Sequence, residues 1–266
     1  DLVTGVQTCA LPIFGEKTIN LLKSFGRIIL FCFSGVTNIF TLPFQFAKII
    51  EHMWFIGTKS IFVIILTGLF TGMVLGLQGY YSLVKVGSEA ALGAAVSLTL
   101  ISELGPVFTA IMVTARAGSS MAAEIGVMRI SEQIDALKTM HINPVRFLFS
   151  PRIIAAAISF PLLTALFDVV GIFGGFISGF MMLGINKHVY MDTVIQSVKI
   201  HDINVGFYKA FAFALVTTTI CCYRGYYTHL YSGFGARGVS LSTTNAVVHS
   251  CIAIFIFDYI ITFFWV

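Results

Sequence analysis

Five long apolar stretches constrain the fold of this sequence more than any other feature. A helix crosses a bilayer with about 20 apolar residues, and the stretches cover 54–78, 91–114, 153–184, 205–222 and 244–265. Only 11% of the 266 residues are charged, whereas a soluble domain carries about 25%. The sequence therefore predicts an all-α integral membrane protein with five transmembrane helices.

The segment before these stretches predicts two further features. Its first residues have no basic n-region and too short an apolar run for a signal peptide. They resemble translated adaptor sequence, so we expect a non-native leader over 1–13 and a single transmembrane domain over 14–266. Residues 16–40 place basic side chains among Leu, Ile and Phe, which predicts an amphipathic helix lying in the membrane interface. A first transmembrane helix over 27–45 is the alternative.

The basic residues predict the orientation of the spans, because Lys and Arg concentrate in cytoplasmic loops. With the N-terminus inside and the C-terminus outside, the outer loops contain only Lys85, Lys187 and Lys199. The inner segments contain Lys17, Lys23, Arg27, Lys48, Arg116, Arg129, Lys138, Arg146, Arg152, Arg224 and Arg237. We therefore expect a multi-pass membrane protein with its N-terminus inside and its C-terminus outside.

The sequence contains no motif for chemistry of its own. It has no G-x-x-x-x-G-K-[ST] loop that would bind ATP phosphates, and no H-E-x-x-H pair or close His/Cys cluster that would bind a metal. Its cysteines form no C-x-x-C pair, so we expect free, buried thiols. These features predict a non-enzymatic subunit without cofactor or metal, whose energy comes from a partner or an ion gradient.

Glu103 and Pro106 stand out inside the second apolar stretch. A charged side chain at the bilayer centre costs about 2.5–3.5 kcal/mol on insertion scales, so Glu103 should face a bundle interior or a water-filled cavity, or be protonated. Pro106 has no N–H, which frees the carbonyl of Ser102 and favours a bend. Glu103 is then either a structural hydrogen-bonding group or a polar point beside a substrate cavity or gate.

The polar residues 115–152 contain a second helical pattern. Apolar side chains recur at helical spacing after Ser120, and charged side chains occupy the other faces. This pattern predicts a short amphipathic helix over 121–140 on the cytoplasmic side, ending near Asn143. The helix either docks into a soluble subunit or lies solvated in a loop.

Small and polar residues inside the spans predict helix packing. Glycines that recur every four residues share one helix face and let a second backbone approach closely, and in the first span this face could be a dimer contact. We expect Asp168, Asp258 and His249 to make packing contacts between helices. The glycine ladders are Gly68, Gly72 and Gly76 in the first span and Gly171, Gly175 and Gly179 in the third.

Several blocks occur in order along the chain: "GMVLGLQGY", "ELGPV", "ARAGSSMAAEIGVMR", "EQIDAL", "SPR" and "NAVVHS". Together they resemble the MlaE-type permeases, the membrane subunits of MCE-linked ABC lipid transporters, over residues 20–264. The resemblance implies a homodimer, a cytoplasmic ABC ATPase on each copy, a ring of MCE-domain proteins on the outer face and, in many systems, a STAS-domain protein. It implies a bacterial inner membrane, with the N-terminus in the cytoplasm and the C-terminus in the periplasm. The implied cargo is phospholipid or a related lipid, moved between the inner membrane and the outer envelope.

The resemblance also implies roles for individual residues. The lipid cavity is expected to involve Gly76, Leu77, Gln78, Tyr80, Glu103, Pro106 and Lys209. The contact with the ATPase is expected to involve Glu124, Arg129, Glu132 and Asp135. Relatives can carry a basic residue at the position of Ser102, so Lys209 of the fourth span is the expected replacement cation for Glu103.

The predicted function is therefore that of a permease subunit driven by a partner ATPase. ATP binding would move the amphipathic helix, reshape a cavity between two copies and pass a lipid to the outer ring. One alternative is an ion-coupled secondary carrier with Glu103, Asp168 and Asp258 as relay groups, although no inverted repeat of the kind many carriers show is apparent. Another is a membrane scaffold without transport.

Overall fold

The computed structural model describes residues 26–35, 37, 45–231, 233 and 235–265, and every regular element among them is helical. The predicted leader and most of the predicted interfacial helix lie outside these residues. The helices are α1 (Gly26–Gly35), α2 (Phe46–Ile56), α3 (Ile61–Val84), α4 (Leu92–Thr99), α5 (Gly105–Val113), α6 (Ser119–Ile130), α7 (Gln133–Thr139), α8 (Pro144–Ile177), α9 (Lys187–Ser197), α10 (Ile200–Tyr226), α11 (Thr228–Tyr231) and α12 (Gly235–Trp265).

Five helical stretches among the described residues are long and apolar enough to cross a membrane, which confirms the predicted all-α fold with five spans. The helices run beyond the predicted spans because they continue into polar sequence. For example, α8 begins at Pro144, where the Asn143 side chain accepts a hydrogen bond from the Val145 N–H at 3.0 Å. The stretches are Phe46–Val84, Glu89–Ile130, Pro144–Met182, Ile200–Tyr226 and Gly235–Trp265.

The two ends of the bundle differ in their charged residues. Consecutive spans alternate in direction, so the loops alternate between the ends. One end, called the basic end below, carries α2, α6, α7 and the start of α8, with Arg116, Arg129 and Arg152. The other end, called the α9 end below, carries the 85–91 connection and α9.

The two glycine ladders pack against each other inside one chain. A Cβ atom on Gly72 would overlap the carbonyl oxygen of Gly171, and one on Gly68 would lie 3.1 Å from the carbonyl oxygen of Phe167. Only glycine lets α3 and α8 approach this closely along the shared face. The ladder face of α3 is therefore filled by α8 of the same chain, and the dimer contact considered for this face is not available there.

The second span is interrupted by two π-helical turns, Leu100–Leu104 and Thr114–Gly118, which flank α5. In the first turn the Gly105 N–H bonds to the Leu100 carbonyl, five residues back, directly before Pro106, which has no N–H to donate. The perturbation expected at the proline therefore takes the form of a wider helical turn. Turns of this kind are frequent at functional sites.

The amphipathic helix predicted over 121–140 is two helices in the structure. α6 continues directly from the second span and ends at Ile130, and α7 follows after a break. At this break Glu132 has a left-handed backbone with φ of 59°, which interrupts the helical hydrogen-bond ladder. The apolar periodicity persists across the break, and for this reason the sequence pattern alone did not reveal it.

A further helix, α9, occupies the segment that was predicted to be a loop after the third span. The side chain of Asn186 caps it by accepting a hydrogen bond from the His188 N–H at 3.0 Å. Tyr190 is buried, and its hydroxyl donates to the Ile172 carbonyl at 3.1 Å. The loop prediction was wrong because charged and apolar residues alternate here without a long apolar run, while the helix packs on α4 with Tyr190, Thr193 and Val194 against Gly93.

Candidate functional site

Four side chains from three spans meet in the interior of the bundle. Lys209 is fully buried, and its Nζ lies 2.5 Å from Glu103 Oε2 and 3.0 Å from Asp258 Oδ1. The same ammonium donates to the Thr262 hydroxyl at 2.8 Å. These residues, Glu103, Lys209, Asp258 and Thr262, are called the mid-span cluster below.

Local structure places each member of the mid-span cluster. Glu103 lies inside the first π-helical turn of the second span. Lys209 follows Gly206 on α10, where a Cβ atom would lie 2.5 Å from the Ile101 carbonyl oxygen, so the glycine allows α10 to approach this turn. Asp258 and Thr262 are one helical turn apart on α12, and the Thr262 hydroxyl also lies 2.9 Å from the Asp258 carbonyl.

The electrostatics of the cluster follow from its membrane position. A buried ammonium is tolerated when carboxylates and hydrogen-bond acceptors surround it. Lys209 donates hydrogen bonds to Glu103 and Thr262 and has the Asp258 carboxylate at ion-pair distance. The carboxyl side chains remain partly exposed, 39% for Glu103 and 21% for Asp258. The cluster therefore opens towards the surface of the single chain, where a lipid or a second copy can reach it.

Residue 102 is Ser, so the cation that pairs with Glu103 has to come from another part of the chain. Lys209 contacts Glu103 directly, so the cation comes from the fourth span and not from a neighbour in sequence. Sequence reasoning treated Asp258 as a packing residue and did not single out Thr262. A usable signal was present, because Lys209 and Asp258 are isolated charges in apolar spans, and such charges usually pair with one another.

Of the other residues expected at a lipid cavity, Pro106 lies on α5, and the remaining four lie on α3 near the α9 end. Gly76 packs against Ser178 and Gly175 of α8. Gln78 is exposed, whereas Leu77 and Tyr80 are half-buried. Pro106 is buried close to Gly206. Within the single chain the contacts of Gly76 are thus with α8 and not with the mid-span cluster, and the shared lipid cavity stays a prediction.

Asp168 of α8 does not belong to the mid-span cluster. Its Oδ1 abuts Gly105 and has no hydrogen-bond partner among the described residues. It lines a cavity of about 160 Å³ between α8 and α10, together with Thr164 and Phe207. The relay of Glu103, Asp168 and Asp258 considered for a carrier is therefore not a continuous chain of hydrogen bonds in this structure.

The residues expected to contact an ATPase lie at the basic end, and most of them also pair within the chain. Glu124 Oε1 lies 2.9 Å from Arg152 Nη2. Arg129 Nη1 lies 2.8 Å from Asp135 Oδ1, and its Nε donates to His229 Nδ1 at 3.0 Å. Glu132 is exposed at the break between α6 and α7. Their contact with a partner stays a prediction.

Two groups in this polar region have shifted acidities. Hydrogen bonds from Lys138 and Arg129 hold the pKa of Asp135 below its usual value. Partial burial lowers the pKa of His229, and the nearby Arg129 guanidinium lowers it further. Both shifts favour an Asp135 carboxylate and a neutral His229 near neutral pH, which is the state that accepts hydrogen bonds from Arg129.

Comparisons with known proteins agree with this architecture. The family model described as Permease MlaE matches residues 49–264. A "Probable ABC transporter permease protein" of Rickettsia bellii is 40% identical over 248 residues, covering 93% of this chain and 94% of the relative. The "Intermembrane phospholipid transport system permease protein MlaE" of Haemophilus influenzae is 37% identical over 249 residues, covering 93% and 94%. The chloroplastic protein TRIGALACTOSYLDIACYLGLYCEROL 1 of Arabidopsis thaliana is 35% identical over 209 residues, covering 79% and 59%.

Proposed function

The chain belongs to the MlaE permease family, and we propose that it moves phospholipid or a related lipid between the inner membrane and the outer envelope. It is an ABC transporter permease with several membrane-spanning helices. In the proposed assembly two copies pair, a cytoplasmic ATPase binds each copy, and an MCE-domain ring receives or delivers the lipid. A STAS-domain protein is a further expected partner, and the N-terminus is expected in the cytoplasm.

The observation that carries this proposal is the mid-span cluster. Ionisable side chains inside membrane spans are costly and usually mark a substrate or ion pathway, and here a buried ammonium lies beside partly exposed carboxylates. A phosphodiester is an alternative partner for the Lys209 ammonium, because it offers the same anionic oxygens as a carboxylate. Replacing one carboxylate by a lipid headgroup would keep the ammonium paired throughout transport.

The surface next to the cluster supports pairing of two copies. α12 carries Asp258 and Thr262, and the same helix exposes large apolar side chains, including Phe255 at 58% and Tyr259 at 73%. Such a surface is suited to lipid or to another membrane helix. A second copy placed there would enclose the exposed side of both clusters in one central cavity.

Reconstitution tests the proposed function. The chain is purified with its genomic neighbours, and the transfer of labelled phospholipid from donor vesicles is measured with and without ATP. The proposal predicts stoichiometric recovery of a P-loop ATPase and transfer that requires ATP. Transport by this chain alone, driven by a pH gradient, would contradict the proposal and would favour the ion-coupled carrier. A complex that hydrolyses ATP without moving lipid would favour the scaffold.

A further inference from the structure

A single buried guanidinium joins two helices at the basic end. Arg152 of α8 is only 2% exposed, and its Nη1 donates to the Leu148 carbonyl at 2.6 Å. Its Nη2 lies 2.9 Å from the Glu124 carboxylate on α6. Sequence reasoning counted Arg152 among the basic loop residues and placed Glu124 at the ATPase contact, so the direct pairing of the two is new information from the structure.

Two further helices border this ion pair. Lys48 of α2 packs on an aromatic ring of α8, with its Nζ 2.9 Å from the ring centroid. His52 lies one turn further along α2, which packs along α8. Cys222 of α10 is fully buried and belongs to the same apolar cluster as Ile125 of α6 and Ile153 of α8. The ion pair therefore sits where α2, α6, α8 and α10 meet.

Glu124 is the group that makes the burial of Arg152 tolerable. A guanidinium remains protonated in proteins, and removing the partner of a buried charge is strongly unfavourable. The Nε of Arg152 has no hydrogen-bond partner among the described residues. Within that part of the chain, Glu124 is the carboxylate found at ion-pair distance from Arg152. The Glu124 carboxylate on α6 therefore contributes to the position of this end of α8.

The contacts of α6 with its neighbouring helices indicate how a movement of α6 would reach α8. α6 packs mainly along α10 and α12, whereas its charged tie to α8 is the Glu124–Arg152 ion pair. α8 in turn carries the glycine ladder that packs on α3. A movement of α6 can thus reach the third span through this ion pair as well as through apolar packing, and through the ladder it can reach the first span.

We infer that Glu124 is a positioning residue, which acts through Arg152 to couple movement of α6 to α8. The inference rests on the proposed function, because it assigns the route by which an ATPase-driven movement reaches the third span. In this role the carboxylate orients a neighbouring helix and need not touch the ATPase. Its half-exposed side chain, 55% accessible, leaves room for an additional partner contact.

A double-mutant cycle tests the inference in the complete transporter. The variants are Glu124→Gln, Arg152→Met and the double variant, with Glu51→Gln as the matched control, since Glu51 is an exposed carboxylate on α2 at the same end. The measured quantity is lipid transferred per ATP hydrolysed, and ATPase recovery is checked for each variant. Each single variant should lower this ratio by about 5- to 10-fold, which is within the usual range of coupling between sites.

The double variant distinguishes a pair from two separate contributions. If the residues act through each other, the double variant should be no worse than Arg152→Met alone, whereas independent roles would multiply the losses. Glu51→Gln should leave the ratio at the wild-type value. Multiplied losses, or a Glu124→Gln transporter with wild-type coupling, would overturn the inference. Loss of ATPase recovery in Glu124→Gln alone would overturn it too, because it would make Glu124 a docking residue.

A conservative variant and a stability measurement complete the double-mutant cycle. Glu124→Asp retains the carboxylate on a shorter side chain and should restore at least half of the coupling lost in Glu124→Gln. The thermal unfolding midpoints of the same cycle provide a readout without transport, and they should be non-additive in the same way. If the wild type moves no lipid, the proposed function fails, but additive midpoints would separately disprove the ion pair.

Discussion

The mid-span cluster and the Glu124–Arg152 pair each stabilise a buried cation, but with different numbers of partners. Both bury a cation on one span, at 0% exposure for Lys209 and 2% for Arg152, and both pair it with a glutamate on the Glu89–Ile130 stretch. The two glutamates are about 30 Å apart along that stretch at 1.5 Å per residue. One continuous helical stretch thus connects a polar point inside the membrane with a polar point at the basic end.

The difference between the two sites lies in how many partners each cation has. Lys209 lies at ion-pair distance from two carboxylates and donates a hydrogen bond to a hydroxyl, whereas Arg152 has one carboxylate and one carbonyl. The cluster can therefore lose one carboxylate and keep its cation paired, while the second site cannot. A surplus of partners suits a site that exchanges ligands, and a single partner suits a site that transmits position.

The largest effect is expected when the cation of the mid-span cluster is removed. Lys209→Met leaves Glu103 and Asp258 facing each other without a counter-charge, and breaking a buried pair in this way costs about 3–5 kcal/mol. Folded protein in the membrane and its unfolding midpoint should both fall sharply. Lys187→Met, a change at an exposed lysine of the α9 end, is the control. Normal accumulation of Lys209→Met would mean that the cluster is not the ionic centre described above.

A smaller loss of stability is expected when the single carboxylate at the basic end is removed. Glu124→Gln leaves the Arg152 guanidinium without its anionic partner, and an unsatisfied buried group costs about 1–3 kcal/mol. The amide oxygen can still accept one hydrogen bond, which limits the loss. Thermal unfolding of the solubilised chain measures the effect. A midpoint equal to that of Glu51→Gln would show that Arg152 does not depend on Glu124.

Removal of one carboxylate from the mid-span cluster should affect stability still less. Glu103→Gln and Asp258→Asn each leave Lys209 with one carboxylate, so each is expected to cost less than about 1 kcal/mol. The double variant should lose more than the sum of the two, because Lys209 is then unpaired. Additive losses in unfolding experiments would argue that the carboxylates do not share the ammonium. Glu103→Ala is expected to impair lipid transfer with little loss of folded protein.

The smallest effect concerns the exposed pairs at the basic end. The pKa of Asp135 is lowered by Lys138 and Arg129, so its contribution to stability is present above the ordinary aspartate pKa of about 4 and is lost as the pH falls through the lowered folded-state value. Asp135→Asn should therefore differ slightly from the wild type near pH 7 and not at all in strong acid. A difference that grows towards acid pH would contradict this sign.

Sequence patterns predicted the spans but not the contacts between them. Apolar length alone determines which stretches cross a membrane, and for this reason all five were found. The pairing of Lys209 with Asp258, and of Arg152 with Glu124, depends on how the helices rotate and pack, which a single sequence does not encode by spacing. Lys209 was paired with Glu103 only through family resemblance. The π-helical turns were not predicted either, because Pro106 indicates a perturbed helix without specifying its form.

α9 could not be predicted from its local sequence pattern. Its sequence has no long apolar face, and its packing comes from Tyr190, which reaches the Ile172 carbonyl, and from contacts of Thr193 and Val194 with α4. The predicted cytoplasmic helix shows the reverse case, since its apolar period was read correctly while the break at Glu132 was not. In α9 tertiary packing outweighs the local sequence pattern, whereas in the cytoplasmic segment the left-handed backbone of one residue, Glu132, breaks the helix.

The central claim is that the two ionic sites have different tasks within one lipid permease. The most direct test compares Glu103→Ala with Glu124→Gln in the purified complex, measuring both the phospholipid that co-purifies and the lipid transferred per ATP. Glu103→Ala should lose co-purified phospholipid. Glu124→Gln should retain it but transfer less lipid per ATP. If both variants show the same pattern of losses, the division between a lipid site and a coupling site is wrong.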